Sequence, residues 1–221
     1  MKNLGPRIEL HTHSLFSDGE LLPSEIARRA IALNYKAVGI TDHVDISNLD
    51  LIVPRIVMAA EELNKQGEIE VIPGVEITHV PPKSIPKLAK SAKDLGAKIV
   101  IVHGETIVEP VPIGTNAVAV RCADVDVLSH PGLISPSEAE LARKNDIFLE
   151  ITSRKGHCLT NGYVAQIAMD VKVDSIVNSD AHTPEDLISQ EEAYKIALGA
   201  GFSEKKSLEV VKNPKKILKR I

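Results

Sequence analysis

We predict a parallel α/β barrel for this chain of 221 residues on three observations. Short segments rich in Val and Ile alternate with longer segments of helical periodicity along the sequence. Each short segment is almost continuously apolar, which is typical of strands buried on both faces of a parallel sheet. There are seven such segments, and seven or eight βα units can close into a barrel, whereas five or six usually leave an open sheet. We therefore expect one domain over residues 1–221 with a seven-stranded TIM-like barrel, and an open α/β sheet is the alternative.

The strand predictions rest on runs of β-branched and apolar residues, four to nine residues long. Strand–helix alternation implies parallel pairing and right-handed crossovers between successive strands. The predicted strands are RIEL (7–10), AVGIT (37–41), IEVIPGVEI (69–77), KIVIVH (98–103), VDVLS (125–129), IFLEI (147–151) and SIVNS (175–179).

The helix predictions combine apolar periodicity with residues typical of helix ends. Pro23 favours a helix start, and Gly67 and Gly96 favour helix ends. Near the carboxyl terminus, Asn213 is predicted to cap a basic helix that has Pro214 at its first position. The predicted helices cover 23–33, 53–67, 83–96, 135–145, 161–171, 183–201 and 213–221.

Composition excludes several classes of protein. The formal net charge is −4, so no excess of positive charge favours nonspecific nucleic-acid binding. The chain has no Trp, three Phe and three Tyr, which leaves few platforms for stacking bases. We therefore regard a nucleic-acid partner as disfavoured; the oligomeric state is left open.

The sequence offers no signal for secretion or membrane insertion. Its first ten residues lack the apolar stretch of a secretory signal, and no run approaches the ~18 apolar residues of a membrane span. Cys122 and Cys158 do not suggest a fold built on disulfides. We predict a cytoplasmic protein with free thiols and no membrane partner.

Histidines are concentrated where the predicted strands end. Two of them, in the motif HTH, are separated by one residue and would point to the same side of a strand. Glu76 and Asp180 occur at other strand ends, and in a parallel barrel all these ends lie on one face. A group of imidazoles interleaved with carboxylates predicts a multinuclear metal site. Six of the eight histidines follow this pattern, namely His11, His13, His43, His103, His130 and His182.

Other polar residues near strand ends have less defined roles. Asp42 precedes His43 and would point away from it, so we predict a structural role. The loop after the sixth predicted strand carries Arg154, Lys155 and His157, which we predict to bind substrate; a guanidinium is suited to phosphate. His79 is predicted to be an ordinary loop residue.

The motifs HTHSLFSDG, GITDH, GVE, SHPG and SDAH, in this order, resemble the PHP (polymerase and histidinol phosphatase) family. The resemblance covers residues 8 to about 184. It implies a distorted seven-stranded βα barrel that binds up to three metals, typically zinc, iron or manganese, and that in many members hydrolyses phosphate esters.

The resemblance also implies which residues bind each metal. Asp18 stands where some relatives have His, which favours manganese or iron over zinc at that position. The implied first site is His11, His13, Glu76 and Asp180; the second is Glu76, His103 and His130, with Glu76 bridging; the third is Asp18, His43 and His182.

This ligand set predicts a metal-dependent phosphatase with two to three divalent transition metals. Three such cations outweigh the carboxylates of Asp18, Glu76 and Asp180 and one bridging hydroxide by about two charges, which suits a phosphomonoester dianion. Glu76, Asp180 and Arg154 are the predicted catalytic residues, and the hydroxide is the predicted nucleophile. The expected substrate is a small phosphomonoester, histidinol-phosphate-like or nucleotide-like.

Three alternatives remain at this point. The same metals could serve a phosphodiesterase or nuclease, or the protein could be a metal-binding partner module without catalytic activity. A metal-dependent amide hydrolase also uses H-x-H barrels, but His103 stands where such an enzyme would need a bridging Lys.

Overall fold

The computed structural model describes residues 3–221, in which strands and helices alternate. The strands are β1 (Arg7–Glu9), β2 (Tyr35–Ile40), β3 (His43–Val44), β4 (Glu70–Ile77), β5 (Ile99–His103), β6 (Val127–Ser129), β7 (Phe148–Thr152) and β8 (Ser175–Asn178). The α-helices are α1 (Pro23–Ala32), α2 (Leu49–Asn64), α3 (Ile85–Asp94), α4 (Thr115–Ala119), α5 (Pro136–Lys144), α6 (Asn161–Val171), α7 (Gln190–Gly199), α8 (Glu204–Val210) and α9 (Pro214–Leu218). Short 3-10 helices cover Pro82–Ser84, His157–Thr160 and Pro184–Asp186.

The strands pair in parallel in the order β1-β2-β4-β5-β6-β7-β8. β3 follows β2 after a two-residue interruption and pairs with β4, with His43 opposite Glu76. Together β2 and β3 therefore occupy one position around the barrel, which gives seven positions. The two ends of the sheet approach each other at an isolated parallel bridge between Thr12 and Ala181. The predicted seven-stranded TIM-like barrel is confirmed, and it is nearly closed.

Two apolar cores support the barrel. The larger core packs the helices against the outside of the strands, for example Ile26 of α1 and Ile56 of α2. The smaller core contains alternate residues of individual strands, such as Ile99 and Ile101 of β5. It also contains Ile217 of α9. Residues at i and i+2 share a side of a strand, so this second core fills the barrel interior and α9 closes one end of it.

Several predicted helix boundaries are wrong. α2 begins four residues earlier than predicted and holds Pro54 in its second turn, because Leu49 and Ile52 are buried against the strands. α9 begins at Pro214 with Asn213 at the N-cap position, as predicted, but the Asn213 side chain makes no cap hydrogen bond and its amide instead donates to the carbonyl oxygen of Ser175. Helices α4 and α8 were not predicted.

The region predicted as one helix over 183–201 contains two elements. The 3-10 helix Pro184–Asp186 comes first, and α7 begins only after Ser189, whose hydroxyl accepts a bond from the amide of Glu192 in a capping box. Competition between such local caps and a continuous helix shortens the element.

No helix in residues 3–221 is long and apolar enough to cross a membrane. Both cysteines are free, with Cys122 buried and Cys158 partly buried, as the sequence predicted.

Candidate metal centre

The carboxyl ends of the strands bring all nine predicted ligands together. β3 begins at His43, β4 carries Glu76 and β5 ends at His103, while the others lie in the segments that follow β1, β6 and β8. Almost all of them are buried; Asp18 is the exposed member of the set, with 56% of its side chain accessible. The set therefore forms one deep polar cluster with Asp18 at its outer edge.

The first predicted group is compact. His11 Nε2 lies 3.4 Å from Glu76 Oε2 and 3.6 Å from Asp180 Oδ1. His13 Nε2 lies 3.6 Å and 3.1 Å from the same two oxygens. Two ligand atoms about 2.1 Å from one ion in a tetrahedral arrangement are about 3.4 Å apart, so these spacings suit a shared cation.

The third predicted group is also assembled. Asp18 Oδ1 lies 3.3 Å from His182 Nε2 and 3.5 Å from His43 Nε2. His13 Nδ1 is 4.0 Å from the same oxygen. These four residues together can hold a metal ion, with His13 between this group and the first.

The second predicted group is assembled in part through Glu76. His130 Nε2 lies 3.5 Å from Glu76 Oε1 and 3.6 Å from Asp180 Oδ2. Glu76 thus presents one oxygen to His130 and the other to His11 and His13, which suits a bridging carboxylate. The ring of His103 is 4.4 Å from the ring of His130, and its Nε2 faces a carboxylate that the sequence analysis did not select, Glu109.

Buried ligand atoms without hydrogen-bond partners test whether the site fits a metal. Buried polar atoms are almost always paired, and an unpaired one costs about 1–3 kcal/mol. Several of the predicted ligands leave such atoms at the centre of the cluster, and a divalent cation satisfies nitrogen lone pairs and carboxylate oxygens together. The residues therefore fit a metal, and the unpaired atoms are His11 Nε2, His13 Nδ1 and Nε2, His130 Nδ1 and Nε2, and Asp180 Oδ1. Glu76 Oε2 also lacks a well-directed hydrogen bond, although His43 Nδ1 lies 2.8 Å from it.

A second set of residues orients these ligands. Glu150, buried on β7, lies 2.8 Å from His11 Nδ1 and also accepts from the amide of Asn178. Thr78 Oγ1 lies 2.7 Å from His43 Nδ1, and the carbonyl oxygen of Asp180 lies 2.9 Å from His182 Nδ1. Such contacts to the far nitrogen fix the tautomer and ring orientation of metal-binding histidines.

Asp42 has the structural role that the sequence predicted. Its carboxylate accepts from the backbone amides and hydroxyls of both Ser14 and Ser17, over 2.7–3.2 Å. A side chain at Gly19 would collide with the carbonyl oxygen of His13, 2.1 Å from an added Cβ. Asp42 and Gly19 thus fold the loop after β1 tightly enough to direct Asp18 toward His43 and His182.

In the metal-free protein, the pKa values of two buried ligand histidines are shifted in opposite directions. Burial, together with the neighbouring His43 and His11, holds the pKa of His13 well below its usual value. Burial would also lower the pKa of His11, but the carboxylates of Glu150, Glu76 and Asp180 hold it well above its usual value. His13 is therefore ready to bind a cation, whereas metal binding at His11 must release a proton.

The two central carboxylates are shifted in opposite directions. Burial raises the pKa of Asp180 to about 6, although His11 and His130 partly counteract it. Burial has the same tendency at Glu76, but His11, His43 and His103 hold the pKa of Glu76 well below its usual value. Glu76 is thus the carboxylate at the centre of the cluster whose ionised form is favoured before any metal binds.

A polar pocket of about 250 Å³ opens above the cluster. Arg154 lines it, and its Nη1 lies 3.2 Å from Asp186 Oδ2. His157 also lines the pocket, with Nδ1 2.9 Å from Thr106 Oγ1. Lys155 is exposed and is not among the lining residues. The lining residues are Asp18, His43, Thr78, His79, His103, Glu109, Arg154, His157, Asp180 and His182.

Sequence reasoning missed four residues of this site. Glu150 interrupts an apolar strand as Glu76 does, and that signal was available in the sequence. Asp186 accepts from the amides of His182 and Thr183 in addition to pairing with Arg154, and no pattern indicated this. His79 and Glu109 reach the pocket from loops, and their partners are distant in sequence.

Comparison with known proteins places this chain in a family. The sequence model of the PHP domain matches residues 9–110. An uncharacterized protein of Methanocaldococcus jannaschii is 54% identical over 217 residues, covering 97% of this chain and 100% of that protein. This chain belongs to the PHP domain family. The family resemblance predicted from its motifs is thereby confirmed.

Another relative of this PHP domain is longer. DNA polymerase/3'-5' exonuclease PolX of Bacillus subtilis is 26% identical over 219 residues, which cover 90% of this chain and 38% of PolX. This chain therefore corresponds to less than half of that polymerase.

Solved structures of low sequence identity share the fold. A chain of archaeal ribonuclease P, solved with mature tRNA, matches with a TM-score of 0.72 at 15% identity, covering 96% of this chain and 90% of that one. Histidinol phosphate phosphatase of Lactococcus lactis, complexed with zinc, L-histidinol and phosphate, gives 0.63 at 14% identity, covering 89% and 94%. The metal-dependent tyrosine phosphatases YwqE of Bacillus subtilis and CpsB of Streptococcus pneumoniae give 0.60 at 17% identity, covering 97% and 94%. These structures show that this chain shares its fold with metal-dependent phosphatases.

Proposed function

We propose that this PHP domain hydrolyses a small phosphomonoester with two to three bound divalent transition metals, either zinc, manganese or iron. The observation that carries the proposal is the set of buried, unpartnered ligand atoms beneath a small polar pocket. Bound metals of this kind polarise a phosphoryl group and lower the pKa of a water molecule enough to supply a nucleophile near neutral pH.

Some of the chain's residues would bind the metals, and others would bind the substrate. Glu76 presents its two oxygens to different histidines and would keep two cations close together. Asp180 contacts the same histidines and would complete their coordination. Glu150 would orient the ring of His11 from behind. No protein nucleophile is required.

Arg154 and His157 would bind the substrate at the pocket walls. The side chain of Arg154 is 30% accessible and its Asp186 contact uses one nitrogen, so other N–H groups of the guanidinium can donate to a phosphate. His157 is held by Thr106 with its Nε2 3.3 Å from Glu109 Oε1. Lys155, exposed outside the pocket lining, would contribute long-range attraction at most.

The dimensions of the pocket favour a small substrate. Its volume of about 250 Å³ is smaller than the ~300–1,000 Å³ that is typical of ligand pockets. No Phe, Tyr or Trp occurs among its lining residues, so the described walls offer no such ring for stacking a nucleobase. Both features support a monoester of a small polar molecule.

A phosphodiesterase or nuclease is the second candidate. It is favoured by the relationship to PolX, whose name includes a 3'-5' exonuclease. Because a chain of ribonuclease P, solved with tRNA, shares the fold, the test below includes oligonucleotide substrates.

The decisive experiment is a panel of phosphomonoesters and phosphodiesters assayed with added manganese, zinc and iron. We expect p-nitrophenyl phosphate and small sugar phosphates to be hydrolysed faster than bis(p-nitrophenyl) phosphate or short oligonucleotides. Elemental analysis of the same samples should find two to three metals per chain. Faster diester hydrolysis would favour the second candidate, and absence of bound metal with no activation by added metal would refute both.

A further inference from the structure

Glu109 lies at the wall of the pocket, encircled by three histidines. Its Oε2 is 3.0 Å from His79 Nε2 and 3.1 Å from His103 Nε2. Its Oε1 is 3.3 Å from His157 Nε2. Of these neighbours, His103 is a predicted metal ligand, so Glu109 reaches the edge of the metal centre from outside the nine predicted positions.

The loop between β5 and α4 holds Glu109 in this position. Glu105 Oε1 accepts from the amides of Gly114 and Asn116, which closes the loop on itself. The side chain of Asn116 donates to the carbonyl oxygen of Pro131 and so ties the loop to the segment after β6. Glu109 is therefore carried by a braced loop although its side chain is 38% accessible.

The orientation of His103 directs its Nε2 toward Glu109. Its Nδ1 is 3.2 Å from the carbonyl oxygen of Gly104, a contact that only an N–H can make favourably. In the neutral ring, Nε2 then carries a lone pair that faces Glu109 Oε2 at 3.1 Å. Two lone pairs at that distance repel each other, so the contact is favourable when the two atoms share a cation or when Nε2 carries a proton and donates it to the carboxylate.

A metal ion satisfies this arrangement. His79, His103 and Glu109 each offer one ligand atom, and the three atoms lie within 4.8 Å of one another. Neutral imidazole and carboxylate are ligands that zinc, iron and manganese share. Catalytic metals keep one position open for water or substrate, and a carboxylate on a loop can occupy such a position reversibly.

We propose that Glu109 is an exchangeable ligand of the metal held by His103. It occupies, in the absence of substrate, the coordination position that a substrate phosphate takes. The proposal rests on the proposed function, because it requires the metal at His103. Glu109 is thus a tenth protein ligand, in addition to the nine predicted ones. Its carboxylate and the substrate phosphate compete directly for one coordination position.

The test compares Glu109→Gln with the wild type, using manganese and inorganic phosphate as probes. Gln keeps the shape of the side chain but removes the charge. At a fixed chelator concentration that leaves the wild type loaded, the variant should retain one metal fewer per chain, with an affinity at least roughly tenfold weaker at that position. When excess manganese restores full loading, inorganic phosphate should bind the variant about tenfold more tightly, because its competitor has been removed.

Glu185→Gln is the matched control. Glu185 is exposed in the 3-10 helix after β8, at the same end of the barrel, and it does not line the pocket. The Glu185→Gln substitution removes one charge from that end of the barrel and should alter neither metal retention nor phosphate affinity. Circular dichroism and thermal unfolding verify that both variants fold.

The outcomes separate this proposal from the proposed function. Unchanged metal retention in Glu109→Gln would leave Glu109 as a partner of the histidines and overturn the proposal while the metal centre stands. If the fully metal-loaded Glu109→Gln variant binds inorganic phosphate more weakly than the wild type, Glu109 does not compete with phosphate. That result would overturn the proposed exchange. A wild-type protein that binds no metal would refute the proposed function and this inference together.

Discussion

At the scale of single residues, Glu76 is the point on which the cluster converges. Its carboxylate lies within 3.6 Å of nitrogen atoms of His11, His13, His43 and His130. We expect Glu76→Gln to reduce kcat/KM by several orders of magnitude and to lower metal content, because a neutral amide cannot bridge two cations. Steady-state kinetics and elemental analysis measure both effects.

Glu150→Gln is the comparison for that variant. It removes an equally buried charge that touches His11 from behind, and a loss of 10- to 100-fold in metal affinity is the expected cost of an outer partner. Equal losses in the two variants would show that buried charge as such, and not bridging, explains the effect at Glu76.

Arg154 is expected to act on substrate binding more than on the chemical step. We expect Arg154→Ala to raise KM by roughly 10- to 100-fold, with a smaller fall in kcat and unchanged metal content. Arg154→Lys should recover only part of the loss, because an ammonium lacks the guanidinium fork. Kinetic constants equal to those of the wild type would remove Arg154 from the substrate site.

Lys155→Ala is its neighbouring control, since Lys155 is exposed and does not line the pocket. A rise in KM as large as that of Arg154→Ala would instead support the substrate role predicted for Lys155 from the sequence.

The ligand positions could be selected from sequence because they share one signal, a His or carboxylate at the end of an apolar run. Glu150 carried part of that signal, since a buried carboxylate inside a strand is costly without a partner. Glu109 carried none, because its partners His79 and His157 lie 30 and 48 residues away, on loops whose approach only the closed barrel determines.

At the scale of elements, the loop after β1 depends on one carboxylate. Asp42 accepts four hydrogen bonds from Ser14 and Ser17, and Asn offers a single acceptor oxygen in its place. We expect Asp42→Asn to lower the free energy of unfolding by about 1–3 kcal/mol. The metal group that contains Asp18 should weaken first. Urea unfolding and metal titration measure these two effects.

Asp45→Asn provides the matched change near the surface. Asp45 accepts hydrogen bonds from the amide and the hydroxyl of Ser47 in an exposed turn. Removing the charge of Asp45 should therefore have little effect on metal binding. A similar loss of metal in both variants would contradict a specific role for Asp42.

Strands were predicted more accurately than helices for a physical reason. A strand buried on both faces needs apolar residues throughout, so β4 and β5 could be recognised from composition alone. Helix ends depend on competing partners. Asn213 is a good cap by type, yet the carbonyl oxygen of Ser175 takes its side-chain amide once α9 packs against the barrel.

At the scale of the whole molecule, metal binding couples to pH through buried ligands. Burial raises the pKa of Asp180 to about 6 in the metal-free protein. Above that pH the carboxyl group is ionised and competent to bind a cation; below it, a proton occupies the site. The pKa of His11 is held well above its usual value, so His11 also loses a proton on metal binding, and we expect metal affinity to fall progressively as pH decreases from 8 through 6, with protons taken up as metal is released. Metal titrations between pH 5 and 8 would detect this change, and a flat profile would contradict it.

The seam of the barrel has a consequence for local motion. Between β1 and β8 the described residues form one β-bridge, with backbone bonds of 2.8 Å and 3.4 Å in the segments after them, and the side chains of Glu9 and Asn178 add hydrogen bonds across the same seam. Two candidate ligands, His11 and His13, lie on one side of this seam, and Asp180 and His182 lie on the other. A bound metal would tie the two sides together, so its removal should let the barrel open there without global unfolding. Amide hydrogens of His13 and Ala181 should then exchange much faster in chelator than with manganese, whereas those in the middle of β5 should stay protected in both.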